Sequence, residues 1–233
     1  MPRTVVPNMD GTDAHPTLTV DAWFDARCPW CYIGKVRLDR AVARHRASYP
    51  GAEVMIRHRS FFLAPDMPVR YEGGEAEYLQ EFEGVPLEQA RRTLPAIEKV
   101  AAEEGITLSF AGLQLVNTAP CHRVFQYAES QGAGEAFLTQ MFAGYFAEHR
   151  DLSAPEVLGE LAAAAGVNAG AAAAAAGDDA WDGVIRQEWR RAQMLGVNGV
   201  PYFLFNSKYE IRGAIATDAF ERALERIREL ERA

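Results

Sequence analysis

The sequence has few cysteines and no long apolar run. Three cysteines among 233 residues is a small and odd number, whereas small secreted proteins built on disulfides carry many cysteines in even numbers. No stretch approaches the ~18 uninterrupted apolar residues that a membrane span requires, and the first twenty residues lack the apolar segment of a secretory signal. We therefore expect a soluble cytoplasmic protein without a membrane partner, whose cysteines are present either for chemistry or by chance.

An excess of positive charge is also absent. Lys and Arg number 24 against 32 Asp and Glu, which gives a formal net charge of −8. An acidic surface repels phosphate backbones, so no nucleic-acid partner is expected. Hydrophobic residues make up 48% and charged residues 24% of the chain, which is ordinary for a globular protein and excludes a disordered or collagen-like chain.

The hydrophobic periodicity changes twice along the chain. Alternating segments on either side of a helical pattern are typical of a β-α-β unit. Only helical patterns follow from 78 to 195, and strand patterns then return before a closing helix near Asp218. We expect that helix to bury Phe220, Leu224, Ile227 and Leu230. The predicted strands are Leu18–Phe24, 54–59, Tyr202–Phe205 and Tyr209–Arg212.

Cys28-Pro29-Trp30-Cys31 stands between a predicted strand and a predicted helix. A helix N-terminus offers unpaired N–H groups and a partial positive charge, and both stabilise a thiolate. A spacing of three residues along a helix brings two cysteines within reach of a disulfide. Cys28, at the exposed helix tip, is therefore predicted as the nucleophile. Cys31 shares a helix face with Leu38 and Val42, so it is predicted to be buried and to resolve the mixed disulfide.

Two other interpretations of the cysteines stay open. A single Cys-x-x-Cys could be half of a zinc site, but no second such pair follows, and the adjacent Cys121 and His122 have a poor spacing for chelation. We therefore expect no metal. The cysteines could also be unrelated structural residues, although the β-α-β context favours a redox pair.

Several segments together resemble the FrnE-like branch of the DsbA family of thioredoxin-fold proteins. The strongest are DARCPWCYIGK at 25–35 and LGVNGVPYF at 195–203, which is followed by Gly213-Ala214. Asn117-Thr118 with His122-Arg123 is similar to the Asn-Thr…Ala-His-Arg pattern of that branch, except that Cys121 stands in place of the alanine. The order of elements agrees as well, and the resemblance spans nearly the whole chain beyond residue 16.

The resemblance implies an α/β fold of the thioredoxin type, β-α-β … β-β-α, with a large all-helical insertion between the second and third strands. Residues 17-62 and 190-233 would form the thioredoxin-like domain, and residues 63-189 the inserted helical domain. The segment 1-16 reads as a flexible N-terminal arm. We expect the insertion to pack over the two cysteines, because a four-stranded sheet alone cannot cover its apolar helix faces.

The resemblance also implies a substrate site and an activity. Pro201 would be cis and lie beside the cysteines, with Val200 offering backbone hydrogen bonds to a substrate. Pro29, Trp30 and His122 are further candidates for substrate contact. The implied enzyme is a protein-disulfide oxidoreductase acting on a protein or small molecule that carries a thiol or disulfide. It needs no metal and no bound organic cofactor, while glutathione stays open as reductant or co-substrate.

Two rival functions remain. Kappa-type glutathione transferases and hydroxychromene carboxylate isomerases share the inserted architecture, but they hold glutathione with a serine or a lone thiol region, whereas both cysteines of the pair are present here. Alternatively, the chain is a binding or chaperone module in which the insertion acts and the dithiol is vestigial.

Overall fold

The computed structural model describes residues 17–232, so the predicted arm at 1-16 lies outside the described residues. One four-stranded sheet has the order β2-β1-β3-β4. β1 pairs with β2 in parallel and with β3 antiparallel, and β4 pairs antiparallel with β3. The strands are β1 (Leu18–Phe24), β2 (Val54–Ser60), β3 (Tyr202–Phe205) and β4 (Tyr209–Arg212).

The described chain also contains nine α-helices. Proline starts α1 at a position whose N–H would have no partner within the helix, and a run of alanines, the residue with the highest helix propensity, forms most of α7. The helices are α1 (Pro29–Ser48), α2 (Glu75–Glu83), α3 (Leu87–Glu103), α4 (Ala119–Ser130), α5 (Gly134–Phe146), α6 (Pro155–Ala164), α7 (Ala169–Ala176), α8 (Asp182–Met194) and α9 (Thr217–Arg232).

Helices cover both faces of the sheet. Alternate residues of β1, such as Val20 and Ala22, pack with residues of α1 and α9, while Trp23 packs with residues around the end of α8. The period of two along the strand sends successive side chains to opposite faces. This burial on both faces explains why six of the seven residues of β1 are buried.

The helical block from α2 to α7 packs against the start of α1. Its largest core cluster contains Cys28 and Cys31 together with buried residues of α4 and α5, such as Phe125 and Phe142. Tyr32 stacks on Phe142 with ring centroids 5.2 Å apart. The insertion therefore lies over the two cysteines, as expected from its apolar faces.

Two sequence expectations about helices differ from the structure. The helical pattern was predicted from 78 onward, but α2 begins at Glu75, where the polar first turn gives no apolar periodicity. Leu230 was expected to be buried, but it is 40% exposed because the last turn of α9 extends past the sheet face that covers Phe220 and Leu224. In addition, the predicted boundary between the inserted helical domain and the second part of the thioredoxin-like domain, at 189 and 190, lies inside α8.

Within residues 17–232, none of the helices has both the length and the apolar character needed to cross a membrane.

Candidate functional site

The sheet brings two loops together at one end of its two central strands, β1 and β3. β1 and β3 are antiparallel neighbours, with Trp23 paired to Tyr202, so the end of β1 and the start of β3 lie side by side. The loop after β1 carries Cys28, and the residues before β3 are Val200 and Pro201, which are joined by a cis peptide bond. The Cys28 thiol donates to the Val200 carbonyl oxygen at 3.4 Å. Residues about 170 positions apart in sequence therefore form one site.

A buried carboxylate fixes the turn that precedes Cys28. The Asp25 side chain accepts from the backbone N–H of Arg27 at 3.2 Å and from that of Leu63 at 2.8 Å. The Asp25 carbonyl accepts from the Cys28 N–H at 3.1 Å. These bonds hold the cysteine loop in place and connect it to the first residues of the insertion. Sequence reasoning missed Asp25, although an Asp three residues before a helix-opening cysteine is a turn signal.

Cys28 is the N-cap of α1, and Cys31 lies in its first turn. The side chains of the two cysteines approach to 3.4 Å, and both are free thiols. The prediction that Cys28 is exposed at the helix tip is wrong, because the residue is only 4% exposed. Val200 and the helical block cover it, and that packing could not be inferred from the position of a residue on its helix.

Cys31 is buried, as predicted. Burial raises the pKa of its thiol well above the usual range, and a side-chain hydrogen bond with Cys28 adds to this effect. Cys31 is therefore a protonated thiol in the resting protein. This is the behaviour expected of a thiol that acts second in a pair.

A cation lies directly behind the cysteine loop. The Arg27 side chain is buried, and its guanidinium carbon lies 4.0 Å from the centroid of the Tyr78 ring. One guanidinium nitrogen lies 2.9 Å from the Met67 sulfur. These contacts pin the residue before Cys28 to α2 and to the segment that follows β2. Nothing in the local sequence pattern signals these partners, because they come from another part of the chain.

The other predicted site residues occupy different environments. Trp30 is 37% exposed and Pro29 is half-buried, so both border solvent beside Cys28. His122 is fully buried, with its ring centroid 5.1 Å from that of Phe24 and 4.9 Å from that of Phe62. Burial lowers the pKa of His122 to about 4. Contact between a substrate and any of these three residues stays a prediction.

Cys121 is 1% exposed and lies in the core of the helical block. Burial raises the pKa of its thiol. Among the described residues, His, Cys, Asp and Glu side chains form no group of three or more that could hold a metal ion.

The elements follow the order β-α-β … β-β-α around one sheet, with a helical block between β2 and β3. The first helix begins at two cysteines that lie beside a cis-proline loop. Together these features define a thioredoxin-like fold with a helical insertion. Residues 19–225 match the family described as the DSBA-like thioredoxin domain. The chain therefore belongs to the DsbA-like family, which confirms the predicted membership of the DsbA family and the predicted thioredoxin-type fold. The FrnE-like branch within that family stays a prediction. This fold supports an enzyme of the oxidoreductase or isomerase type.

Solved structures agree with this assignment. A probable DsbA oxidoreductase from Streptomyces coelicolor is 32% identical, with a TM-score of 0.81 and coverage of 90% of this chain and 89% of that one. A 2-hydroxychromene-2-carboxylate isomerase is 18% identical, with a TM-score of 0.67 and coverage of 90% and 95%. The cytosolic disulfide reductase DsbM from Pseudomonas aeruginosa, solved with GSH, is 19% identical, with a TM-score of 0.61 and coverage of 89% and 97%. At these identities the last two are similar in fold alone.

Proposed function

We propose that the chain is a thiol–disulfide oxidoreductase whose redox pair is Cys28 and Cys31. The observation that carries the proposal is the approach of two free thiol side chains to 3.4 Å at the N-terminus of α1. A disulfide between them needs only a small adjustment, since the first turn of a helix brings residues three apart onto one side. The helix N-terminus stabilises negative charge on the first cysteine.

The reaction with a substrate disulfide would proceed in two exchanges. The Cys28 thiolate attacks one substrate sulfur, a Cys28–substrate disulfide forms, and the other substrate sulfur leaves as a thiolate that takes up a proton. Cys31 then loses its proton and attacks the Cys28 sulfur, which releases the remaining substrate sulfur. Two electrons pass from the protein dithiol to the substrate, and the protein is left as the Cys28–Cys31 disulfide. The same steps in reverse oxidise a dithiol substrate.

The substrate would approach along the surface formed by Pro29, Trp30 and the Val200–Pro201 loop. Trp30 offers an exposed aromatic face, and Val200 has a backbone carbonyl beside the Cys28 sulfur. A substrate chain that runs past this loop could exchange the Cys28–Val200 contact for its own backbone hydrogen bond. His122 would act from beneath this surface, since it packs against Phe24 at the end of β1.

The proposed cellular setting is the cytoplasm, with a protein or small-molecule thiol or disulfide as the partner and neither a nucleic acid nor a membrane. Glutathione is the proposed reductant or co-substrate. The similarity in fold to a cytosolic disulfide reductase solved with GSH supports both points. We propose no metal and no bound organic cofactor, because two thiols supply all the electrons that this exchange requires.

A glutathione-dependent isomerase is the second candidate, because an isomerase of hydroxychromene carboxylate shares the fold. An isomerase would use glutathione as a nucleophile and would not need Cys31. The presence of both cysteines in one helical turn favours the redox reaction.

Variants of the cysteines distinguish these functions. We expect reduction of a disulfide substrate by wild type and its loss in both Cys28→Ser and Cys31→Ser, with Cys31→Ser accumulating a covalent mixed disulfide. Cys121→Ala, the matched control, should keep the activity, since Cys121 lies in the core of the helical block. Full disulfide reduction by Cys31→Ser would remove Cys31 from the proposed pair, and full reduction by Cys28→Ser would leave the pair without a redox function. Failure of wild type to reduce any disulfide would favour the isomerase.

The redox potential provides an independent test. Stabilisation of the Cys28 thiolate by the helix N-terminus favours the reduced form, while the neutral Trp30 between the cysteines adds no charge. We therefore expect a potential above about −270 mV and below about −120 mV. Equilibration in glutathione buffers followed by alkylation and mass spectrometry measures it. A pair whose potential lies below about −300 mV would stay oxidised in these buffers and would be a structural disulfide.

A further inference from the structure

A small cavity borders Cys31. It is lined by side chains of β1, β2, β3, α1 and α5 and by Pro201, and its volume of about 10 Å³ leaves room for about one water molecule. Its polar lining includes Cys31, Lys35 and His58, while Phe24, Phe142 and other apolar groups form the rest. Cys31 and His58 therefore border the same cavity, although 27 positions separate their residue numbers.

His58 has an unused hydrogen-bonding atom. The residue is 7% exposed, and its buried Nε2 finds no hydrogen-bond partner within residues 17–232. Such a group normally costs folding free energy, since buried polar atoms are nearly always paired. Burial, and after it the charges of Lys35 and Arg59, lower the pKa of His58 to about 3. The imidazole is therefore neutral at physiological pH and carries one N–H donor.

The charges that face His58 are themselves committed to other partners. The Lys35 amino group lies 2.6 Å from an Asp39 carboxylate oxygen and 3.6 Å from one of Glu135. Arg59 pairs with Asp21 at 3.0 Å and with Glu188 at 2.9 Å. These cations therefore keep the imidazole neutral while their own charge is balanced elsewhere.

We infer that the neutral imidazole of His58 is the hydrogen-bond donor for the Cys31 thiolate that forms when the mixed disulfide is resolved. This inference rests on the proposed function. In the resting protein Cys31 is a thiol, so the N–H has little to donate to. Once Cys31 loses its proton to solvent, a buried negative charge appears beside the cavity. The Nε2–H then donates to it, directly or through the single water that the cavity can hold.

An interaction of this kind accelerates one step selectively. The bond is weak with the thiol and strong with the thiolate, so it lowers the barrier to resolution without strengthening the ground state. Cys31 attacks the Cys28 sulfur, the Cys28–substrate bond breaks, and the substrate sulfur leaves as a thiolate that takes a proton from solvent. His58 gives up no proton, and it acts as a positioning and stabilising residue for Cys31.

The test measures formation and decay of the mixed disulfide separately. Reduced wild type, His58→Phe, His58→Leu and His58→Gln are mixed with glutathione disulfide, quenched in acid and analysed by mass spectrometry. We expect unchanged formation, which depends on Cys28, and decay slowed on the order of 10- to 100-fold in the Phe and Leu variants, the range for a hydrogen bond to a charged group. His58→Gln, which keeps a neutral N–H donor, should restore most of the rate.

The pH profile tests whether the imidazole acts in its neutral form, while rescue by His58→Gln is the readout that a merely structural role would not give. Because the imidazole is neutral, the ratio of wild-type to His58→Phe decay rates should stay constant from about pH 6 to pH 8. Two variants without a donor are used so that one remains informative if the other does not fold. The inference would be overturned if a folded Phe or Leu variant resolved the mixed disulfide at the wild-type rate, or if the Gln variant were as slow as those two. Either result would leave the proposed function intact. A wild type that forms neither the mixed disulfide nor the Cys28–Cys31 disulfide would refute the proposed function itself.

Discussion

Asp21 shows how a single side chain can hold separate parts of the chain together. Its carboxylate is fully buried in β1 and forms ion pairs with Arg57 at 2.9 Å, Arg59 at 3.0 Å and Arg191 at 3.0 Å. Two of these cations belong to β2 and the third to α8. A buried charge is tolerated only when it is paired and hydrogen-bonded. Asp21 thus joins the centre of the sheet to the helix that covers one of its faces.

Replacing Asp21 with Asn should destabilise the protein strongly, because three arginines would then face a neutral group. We expect a loss of about 3–5 kcal/mol in the free energy of unfolding, the range for breaking a buried ion pair. Urea denaturation followed by circular dichroism measures it. Asp218→Asn is the matched control, since Asp218 pairs with Arg222 at an exposed site, and such pairs contribute about 0–1 kcal/mol. Equal losses in the two variants would contradict this account.

The three thiols should differ in their rates of alkylation. All three thiols are buried, but burial raises the pKa of Cys31 and of Cys121, so little thiolate is present at either of these two sites near neutral pH. Cys28 is the N-cap of α1, where the helix N-terminus stabilises negative charge on its sulfur. We expect iodoacetamide to label Cys28 much faster than the other two, as read by peptide mass spectrometry over time. Faster labelling of Cys31 would reverse the assignment of roles.

At the scale of elements, α1 approaches the cis-proline loop closely where it has a glycine. A Cβ atom at Gly34 would lie 3.1 Å from Pro201 Cγ and 3.3 Å from Phe203 Cζ, which is tighter than ordinary carbon contacts. The helix that carries the cysteines therefore rests against the loop that forms the other side of the site. The close approach of α1 to the Pro201 loop is possible because Gly34 has no side chain.

Gly34→Ala should push α1 away from the Pro201 loop. We expect a loss of about 1–3 kcal/mol in unfolding free energy, typical of overpacking, together with slower disulfide reduction. Gly183→Ala is the matched control, since Gly183 lies in α8 with open space where its Cβ would be, and alanine there should be neutral or stabilising by up to about 1 kcal/mol. A stable and fully active Gly34→Ala would show that the close approach has no role.

The elements were predictable from sequence to a greater extent than the site. β1 and β4 begin and end where their alternating residues indicate, and β3 where its short apolar run does, because both patterns depend on local chemistry alone. The positions of Cys28 and Cys31 on α1 follow in the same way. The burial of Cys28, the Asp25 bonds and the Arg27–Tyr78 contact did not follow, because each depends on residues that only the tertiary fold brings near.

At the scale of the whole molecule, two buried histidines make stability depend on pH. Burial lowers the pKa of His58 to about 3 and that of His122 to about 4, whereas both take up a proton near pH 6.5 in the unfolded chain. Below that pH the unfolded state binds more protons than the folded state, so the contribution to stability falls as pH decreases. Above about pH 6.5 the contribution is fully present.

We therefore expect the unfolding free energy to decrease between about pH 6.5 and pH 4. Each histidine should contribute a slope of about 1.4 kcal/mol per pH unit once its unfolded form is protonated. Urea titrations at several pH values measure the slope. His122→Phe should make the curve shallower by the share of one histidine, and an unchanged slope in that variant would show that His122 does not remain neutral in the folded protein.

The pairing of β1 with β3 has a consequence for how the protein is made. Thr19 donates its backbone N–H to the Asn206 side chain at 2.8 Å across 187 residues, so the centre of the sheet cannot close until nearly the whole chain has left the ribosome. At about 5–20 residues per second this delay lasts roughly 10–40 seconds. During that time β1, α1 and β2 can fold only against each other and the growing helical block, with one edge of β1 unpaired. Contacts this distant also slow folding, so synthesis itself leaves a period in which the nascent chain is prone to aggregation and available to chaperones.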